Sequence, residues 1–116
     1  MNLVALVGRL TKDVELLKTP QGKSVARFTL ACKTRERTDF IPCIAWNQTA
    51  DYLSNYAKKG AMVSGNGHIT TGSYDGKDGK KVFTWEITLE SASILVNKQE
   101  NKSEEAVNIP DYNYPF

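Results

Sequence analysis

Asp39-Phe40-Ile41-Pro42-Cys43-Ile44-Ala45-Trp46-Asn47-Gln48-Thr49-Ala50-Asp51-Tyr52-Leu53-Ser54-Asn55-Tyr56-Ala57-Lys58-Lys59-Gly60 changes its hydrophobic period part-way along. As far as Trp46, Phe40, Pro42, Ile44 and Trp46 fall on one side and Ile41, Cys43 and Ala45 on the other, the period of two that a strand requires. From Asn47 onward, Ala50, Leu53, Tyr56 and Ala57 share one face of a helix. Asn47 is placed to cap its start, Lys58 and Lys59 to complement the dipole at its end, and Gly60 to take a left-handed terminating conformation. A strand over 39–46 therefore runs into a helix over 47–59. No other stretch supports a helix.

Strand patterns lie on both sides of this junction. Residues 2–10 are rich in aliphatic and β-branched types and contain Gly8, which suggests a bulge or tight bend; an extended stretch over 14–18 continues from them. Thr19-Pro20-Gln21-Gly22 reads as a turn, since proline presets one dihedral and glycine accepts a positive one. Residues 24–33 alternate Val25, Arg27, Thr29 with Ala26, Phe28, Leu30, and 34–38 form a short charged loop. After Gly60, strands resume over 61–74 and 80–96, joined by the two-glycine hairpin turn Asp75-Gly76-Lys77-Asp78-Gly79. In the last strand Phe83, Trp85, Ile87 and Leu89 share one side and Thr84, Glu86, Thr88 and Glu90 the other, so Trp85 is expected in the core or at a subunit interface. Phe28 is expected in the core, and Tyr52 and Tyr56 packed along the helix.

Five antiparallel strands with one helix between the third and fourth make an all-β domain with the arrangement of the OB-fold, a small Greek-key barrel. The 116 residues suffice for one such domain. It is expected over 1–97, followed by a polar, flexible segment over 98–116. Fold alone does not fix function.

The net charge of +2 is unevenly spread. Residues 1–98 carry fourteen Lys and Arg against nine acids, an excess of five, whereas 99–116 carry Lys102 against Glu100, Glu104, Glu105 and Asp111. A basic body with an acidic end points to a polyanionic partner for the body. No run approaches the ~18 apolar residues of a bilayer span, and the start has no basic leader followed by an apolar block. Cys32 and Cys43 lie in apolar stretches without metal-ligand spacing, as in a reducing compartment. A cytoplasmic location is expected, in a host cytoplasm if the source is viral, with no membrane contact.

Several stretches resemble the bacterial and phage single-stranded DNA-binding protein family: Val4 to Asp13 its first strand, Phe28-Thr29-Leu30-Ala31 its second and Asp39-Phe40-Ile41-Pro42-Cys43 its third. Ala57-Lys58-Lys59-Gly60 is similar to the end of its helix, Gly67 to its fourth strand and Tyr114-Pro115-Phe116 to the tip of its tail. The resemblance runs through essentially the whole chain in order. It implies an OB-fold, a homotetramer (or a homodimer), binding of single-stranded DNA during replication, recombination and repair, and neither catalysis, cofactor nor metal.

The resemblance puts the base-stacking aromatics at Phe40, Trp46 and Tyr74. Strand parity supports the first two independently: if Ile41, Cys43 and Ala45 fill the barrel, Phe40 and Trp46 point outward, where an uncovered aromatic pair asks for a partner. A base stacked on such a ring contributes roughly 1–3 kcal/mol whatever its identity. Candidates for phosphate contact are Arg9, Lys12, Lys33, Arg35, Arg37, Lys77, Lys80 and Lys81, the cluster leading to Phe40 foremost among them. The short 33–38 loop, and Thr70, Gly72 and Ser73 at positions often basic in the family, point to a weaker or shorter footprint. His68 is isolated and is expected to be a plain surface or interface residue.

In the tail, Asp111, Tyr114, Pro115 and Phe116 are expected to recruit replication, recombination and repair proteins. A coil over 97–116 reaches about 25 Å, and Phe116 joins a ring to a free carboxylate. Two other readings fit the same pattern: an OB-fold module that binds protein, as in replication restart, and an OB protein directed to RNA.

Overall fold

In a computed structural model of the protein, described over residues 1–97, six strands and one helix follow the order β1 Val4–Leu10, β2 Glu15–Lys18, β3 Ser24–Lys33, β4 Thr38–Trp46, α1 Asn47–Tyr56, β5 Met62–Asp75 and β6 Lys81–Val96. Strand order across the sheet is β1-β5-β6-β4-β3-β2, and β1 also pairs with β3 through Arg9↔Ala31 and Leu10↔Leu30. That last pairing closes the sheet into a barrel, which removes most free edges. The first expected strand is thus divided into β1 and β2, with Val14 buried between them. The pairings are not all antiparallel: β4 runs parallel to β6 through Cys43↔Ile87, Ile44↔Thr88 and Ala45↔Leu89. This follows from β5, which is reached through the helix and runs opposite to both strands, so that the β5–β6 hairpin turns the chain back into the direction of β4.

The barrel is filled by the inward rows of β1, β3, β4, β5 and β6: Leu10, Ala26, Leu30, Cys43, Ala45, Val63, Ile87 and Leu89 are all buried, while β2 is exposed throughout. From the helix come Ala50, Leu53 and Ala57, the face that the period over 47–59 marks, packed against β3, β4 and β6. Tyr52 rests on the core, its Oη accepting the Ile94 N–H at 3.0 Å, whereas Tyr56 is exposed and keeps only a ring contact with Tyr52.

Gly8 is not a bulge. β1 pairs with β5 without a register shift, and a Cβ at residue 8 would stand 2.8 Å from the Ala31 carbonyl oxygen and 2.9 Å from the Cys32 Sγ. Glycine is required there because β1 presses against β3 as the barrel closes. The helix also differs at both ends. It stops at Tyr56, and Asn47 does not cap it: Trp46 holds the capping position without a side-chain bond, while Asn47 is itself left-handed with φ 56°. Asparagine is among the few residues that accept this conformation readily. Lys58 and Lys59 lie beyond the helix in a turn closed by the Ala61 N–H on the Lys58 oxygen, with Gly60 at φ 87°. Lys59 N–H donates to Asp13 Oδ1 at 2.6 Å, tying this turn to the β1–β2 loop.

β5 and β6 are longer than the barrel needs. β1 pairs with β5 only as far as Gly67, and β4 pairs with β6 only from Ile87. Thr70–Asp75 and Lys81–Glu86 therefore project as a two-stranded arm, paired with each other from Thr70↔Glu86 to Asp75↔Lys81. Asn2 braces its base, Nδ2 donating to the Ile69 oxygen at 2.8 Å and Oδ1 accepting the Ile69 N–H at 2.9 Å.

Candidate nucleic-acid interface

Register and alternation define the outer face of β3, β4, β6 and β5. Residues directly opposite in neighbouring strands point the same way. The pairs Ala31↔Phe40, Arg27↔Ile44 and Val25↔Trp46 join β3 to β4, Ile44↔Thr88 joins β4 to β6, and Thr88↔His68, Glu86↔Thr70 and Val82↔Tyr74 join β6 to β5. Phe40, Trp46 and Tyr74 consequently share one continuous surface, with exposures of 64%, 39% and 58%. Phe40 and Trp46 are six residues apart on one strand, about 20 Å at the usual rise. Tyr74 extends the row onto the arm. Ile44 departs from the outward row: it is buried at the middle of the sheet, between Arg27 on β3 and Thr88 on β6.

Between the rings the floor is polar and internally paired. Arg27 Nε lies 3.3 Å from Glu86 Oε1, Thr70 Oγ1 lies 2.7 Å from Thr88 Oγ1, and His68 Nδ1 lies 2.7 Å from Glu90 Oε2. Glu86 and Glu90 set negative charge in this surface, each beside a nitrogen donor. An open groove lined by Thr11, Lys12, Asp13, Arg27, Thr29, Pro42 and Glu86 carries the floor to the β1–β2 loop.

All eight expected phosphate ligands are exposed, in four positions. Lys33 projects on the outer side, two residues from Ala31, which faces Phe40; Arg9 projects beside Ala31 from β1 and donates to the Gly60 oxygen at 3.0 Å. Lys12 stands at the rim of the groove. Arg35 and Arg37 occupy the turn between β3 and β4, where the Thr34 N–H bonds the Arg37 oxygen and Arg37 Nε pairs with Asp39 at 2.9 Å. Lys77, Lys80 and Lys81 sit at the tip of the arm, but Lys81, opposite Asp75, belongs to the face away from Tyr74. Asp111, Tyr114, Pro115 and Phe116 lie outside the described residues.

Residues 1–95 match the Single-strand binding protein family. The chain belongs to that family. A relative in Listeria innocua, "Single-stranded DNA-binding protein 3", is 44% identical over 85% of this chain and 66% of its own length. "Single-stranded DNA-binding protein 1" of Streptococcus pyogenes is 40% identical over 97% of this chain and 93% of its own length. The "Single-stranded DNA-binding protein" of Bacillus cereus is 43% identical over 82% of this chain, which spans 60% of it.

Two features of this family member were not legible as site elements. Arg27 sits at the centre of the outer face, a position that follows from its parity with Val25 and Thr29 once β3 is known to adjoin β4. Phe83 and Trp85 follow the inward parity of Ile87 and Leu89 but are 78% and 51% exposed, because the arm has left the barrel by that point and no core remains for them to enter. Among the described residues no cluster of His, Cys, Asp or Glu is arranged to hold a metal, and no helix is long and apolar enough to cross a membrane. Cys43 is buried, and burial, with Cys32 and Glu86 adding to it, pushes its thiol up to about 12; burial and Asp39 raise Cys32 as well.

Proposed function

We propose that the protein binds single-stranded DNA without strong sequence preference and without catalysis, laying the strand along the outer face over Phe40, Trp46 and Tyr74. The observation that carries this is the exposure of three rings on one continuous sheet surface in a member of the single-strand binding family. Rings accept any base by its π-face, while Lys33, Arg9, Lys12 and the cations of the β3–β4 turn and arm tip hold phosphates. Each phosphate neutralised releases condensed counterion, so affinity falls as salt rises. Such binding protects single strands during replication, recombination and repair.

Two extensions belong to this reading. The β1 edge from Val4 to Gly8 that faces away from β5 has no strand partner among the described residues, and a second copy fits there as part of a homotetramer or homodimer. The 98–116 segment, with Asp111, Tyr114, Pro115 and Phe116, recruits partner proteins.

Titration of oligo-dT into the protein, followed by tryptophan fluorescence, tests the binding. Quenching at low salt that weakens at high salt is expected. A folded sample with unmoved emission at low salt removes the proposal.

A further inference from the structure

Two carboxylates stand on the outer face, and their nitrogen partners differ in kind. Glu86 is met by the Arg27 guanidinium, which keeps its charge at any ordinary pH. Glu90 is met by the His68 imidazole, Nδ1 to Oε2 at 2.7 Å, with 35% of the histidine side chain and 64% of the glutamate exposed. The sheet itself sets this placement. Asn66↔Ser91 and Gly67↔Leu89 are successive pairs, so Glu90 is the extra residue of a bulge, a feature that re-aims a side chain. Thr49 Oγ1 of α1 donates to the Glu90 backbone oxygen at 3.4 Å. His68 pairs with Thr88, which adjoins Ile44 of β4, so the ring lies on the barrel wall and not on the arm.

A carboxylate only accepts hydrogen bonds, so Nδ1 carries the hydrogen that Glu90 receives. In the neutral ring Nε2 then presents a lone pair, and His68 and Glu90 together carry one negative charge. With a second proton Nε2 becomes a donor and the two residues together are neutral. We infer that His68 and Glu90 form a proton-linked switch on the single-strand surface: a bound phosphate chain selects the protonated imidazole, so that binding takes up a proton at His68. The switch rests on the single-strand binding reading and adds a dependence on pH to it. A polyanion laid over a surface favours the charge state that opposes it least. By reciprocity, the proton favours the strand as much as the strand favours the proton. Of the elements packed against His68, β6 brings Glu86 and Glu90, while β1 brings no charged side chain from Asn2 to Val7 and the Met1 amine before them. The helix that reaches Glu90 through Thr49 carries Asp51 as its one charged residue. Arg27, beyond β4, is held by Glu86. Acids thus prevail around the ring, and His68 is the group there whose charge can change near neutrality.

His68 is the one histidine of the chain, which makes its protonation separately observable. Oligo-dT affinity at fixed salt, followed from about pH 8 to about pH 5.5, crosses the range in which imidazole gains charge while Asp, Glu, Lys and Arg ordinarily keep theirs. At about 0.1 M salt the wild type is expected to bind about fivefold tighter at the acid end, the effect of one counterion released from a single strand. His68→Gln should remove that rise. His68→Lys, charged throughout, should bind as tightly at the alkaline end as at the acid end. Both variants keep the Met1 amine, so a rise that survives in His68→Gln belongs to another group and overturns the inference. A wild type with no rise overturns it as well. At neutral pH, the imidazole proton resonances of the full chain should move, on addition of oligo-dT, towards their positions in acid; resonances that stay in place contradict proton uptake at His68. In each of these failures oligo-dT still binds, and the outer-face reading stands. Absence of binding at every pH removes that reading and the switch with it.

Discussion

Arg27 and Glu86, 59 residues apart, meet at 3.3 Å across the centre of the outer face, reaching over β4 from the strands on either side of it. The pair lies at the surface, with the Arg27 side chain 68% and that of Glu86 28% exposed, so it adds little to stability. Its effect is on charge: the carboxylate occupies a guanidinium that the proposed DNA path would otherwise offer to a phosphate. Glu86→Gln is therefore expected to tighten oligo-dT binding several-fold and to steepen the dependence of log affinity on log salt by about one. Binding isotherms at a series of salt concentrations measure this. An unchanged slope would show that Arg27 does not reach the DNA.

Gly67 lies at the register shift where β5 leaves β1 for the arm, and a Cβ there would stand 1.8 Å from the Thr88 carbonyl oxygen. That oxygen belongs to the backbone of β6 and cannot rotate away. Gly67→Ala is expected to destabilise the fold by about 2 kcal/mol or more, in the range of an overpacked core. Equilibrium denaturation with urea checks it, and a midpoint equal to that of the wild type would contradict the close approach.

Much of this arrangement was legible from periodicity alone. Alternation over 39–46 separates Ile41, Cys43 and Ala45 from Phe40 and Trp46, and the helical period picks out Ala50, Leu53, Tyr56 and Ala57, of which all but the exposed Tyr56 are buried. What periodicity does not carry is how far a strand remains inside the barrel. Phe83 and Trp85 have the parity of Ile87 and Leu89, yet two residues of further travel along β6 take Trp85 past the last β4 pairing and into solvent. Ile44 errs in the opposite sense, buried on an outward row because it stands mid-sheet between two neighbours. Asn47 and Gly8 share a cause: each residue type suits two local roles, and only the three-dimensional path of the chain selects one.

The thiols respond to pH in a defined direction. Burial first, then the neighbouring Cys32 and Glu86, holds the Cys43 proton up to about 12, against an ordinary value of 9.0. The folded state thus binds this proton more tightly than the unfolded one. The corresponding stability is fully present below pH 9 and declines as pH rises towards 12. Denaturation midpoints should fall over that window, and Cys43→Ala should flatten the fall. At pH 8 the native protein should react slowly with a thiol reagent and the urea-unfolded protein rapidly. Equal rates in the two states would contradict the burial of Cys43.

Asn2 holds Ile69 by both ends of its carboxamide and thereby fixes the base of the arm. Asn2→Ala is expected to speed hydrogen exchange at the Ile69 amide and its arm neighbours while leaving the Leu30 and Leu89 amides in the barrel protected. It should also weaken oligo-dT binding modestly, because Tyr74 is carried by that arm. Unchanged exchange at Ile69 would show that the arm is rigid without the clamp.

The most direct test removes the three outer rings together, as Phe40→Ala, Trp46→Ala and Tyr74→Ala in one protein. All three are exposed, so the thermal midpoint should stay within a few degrees, while oligo-dT affinity should fall by roughly a hundredfold or more if at least three stacking contacts are lost. A folded triple variant that binds oligo-dT within twofold of the wild type would place the DNA elsewhere on the molecule.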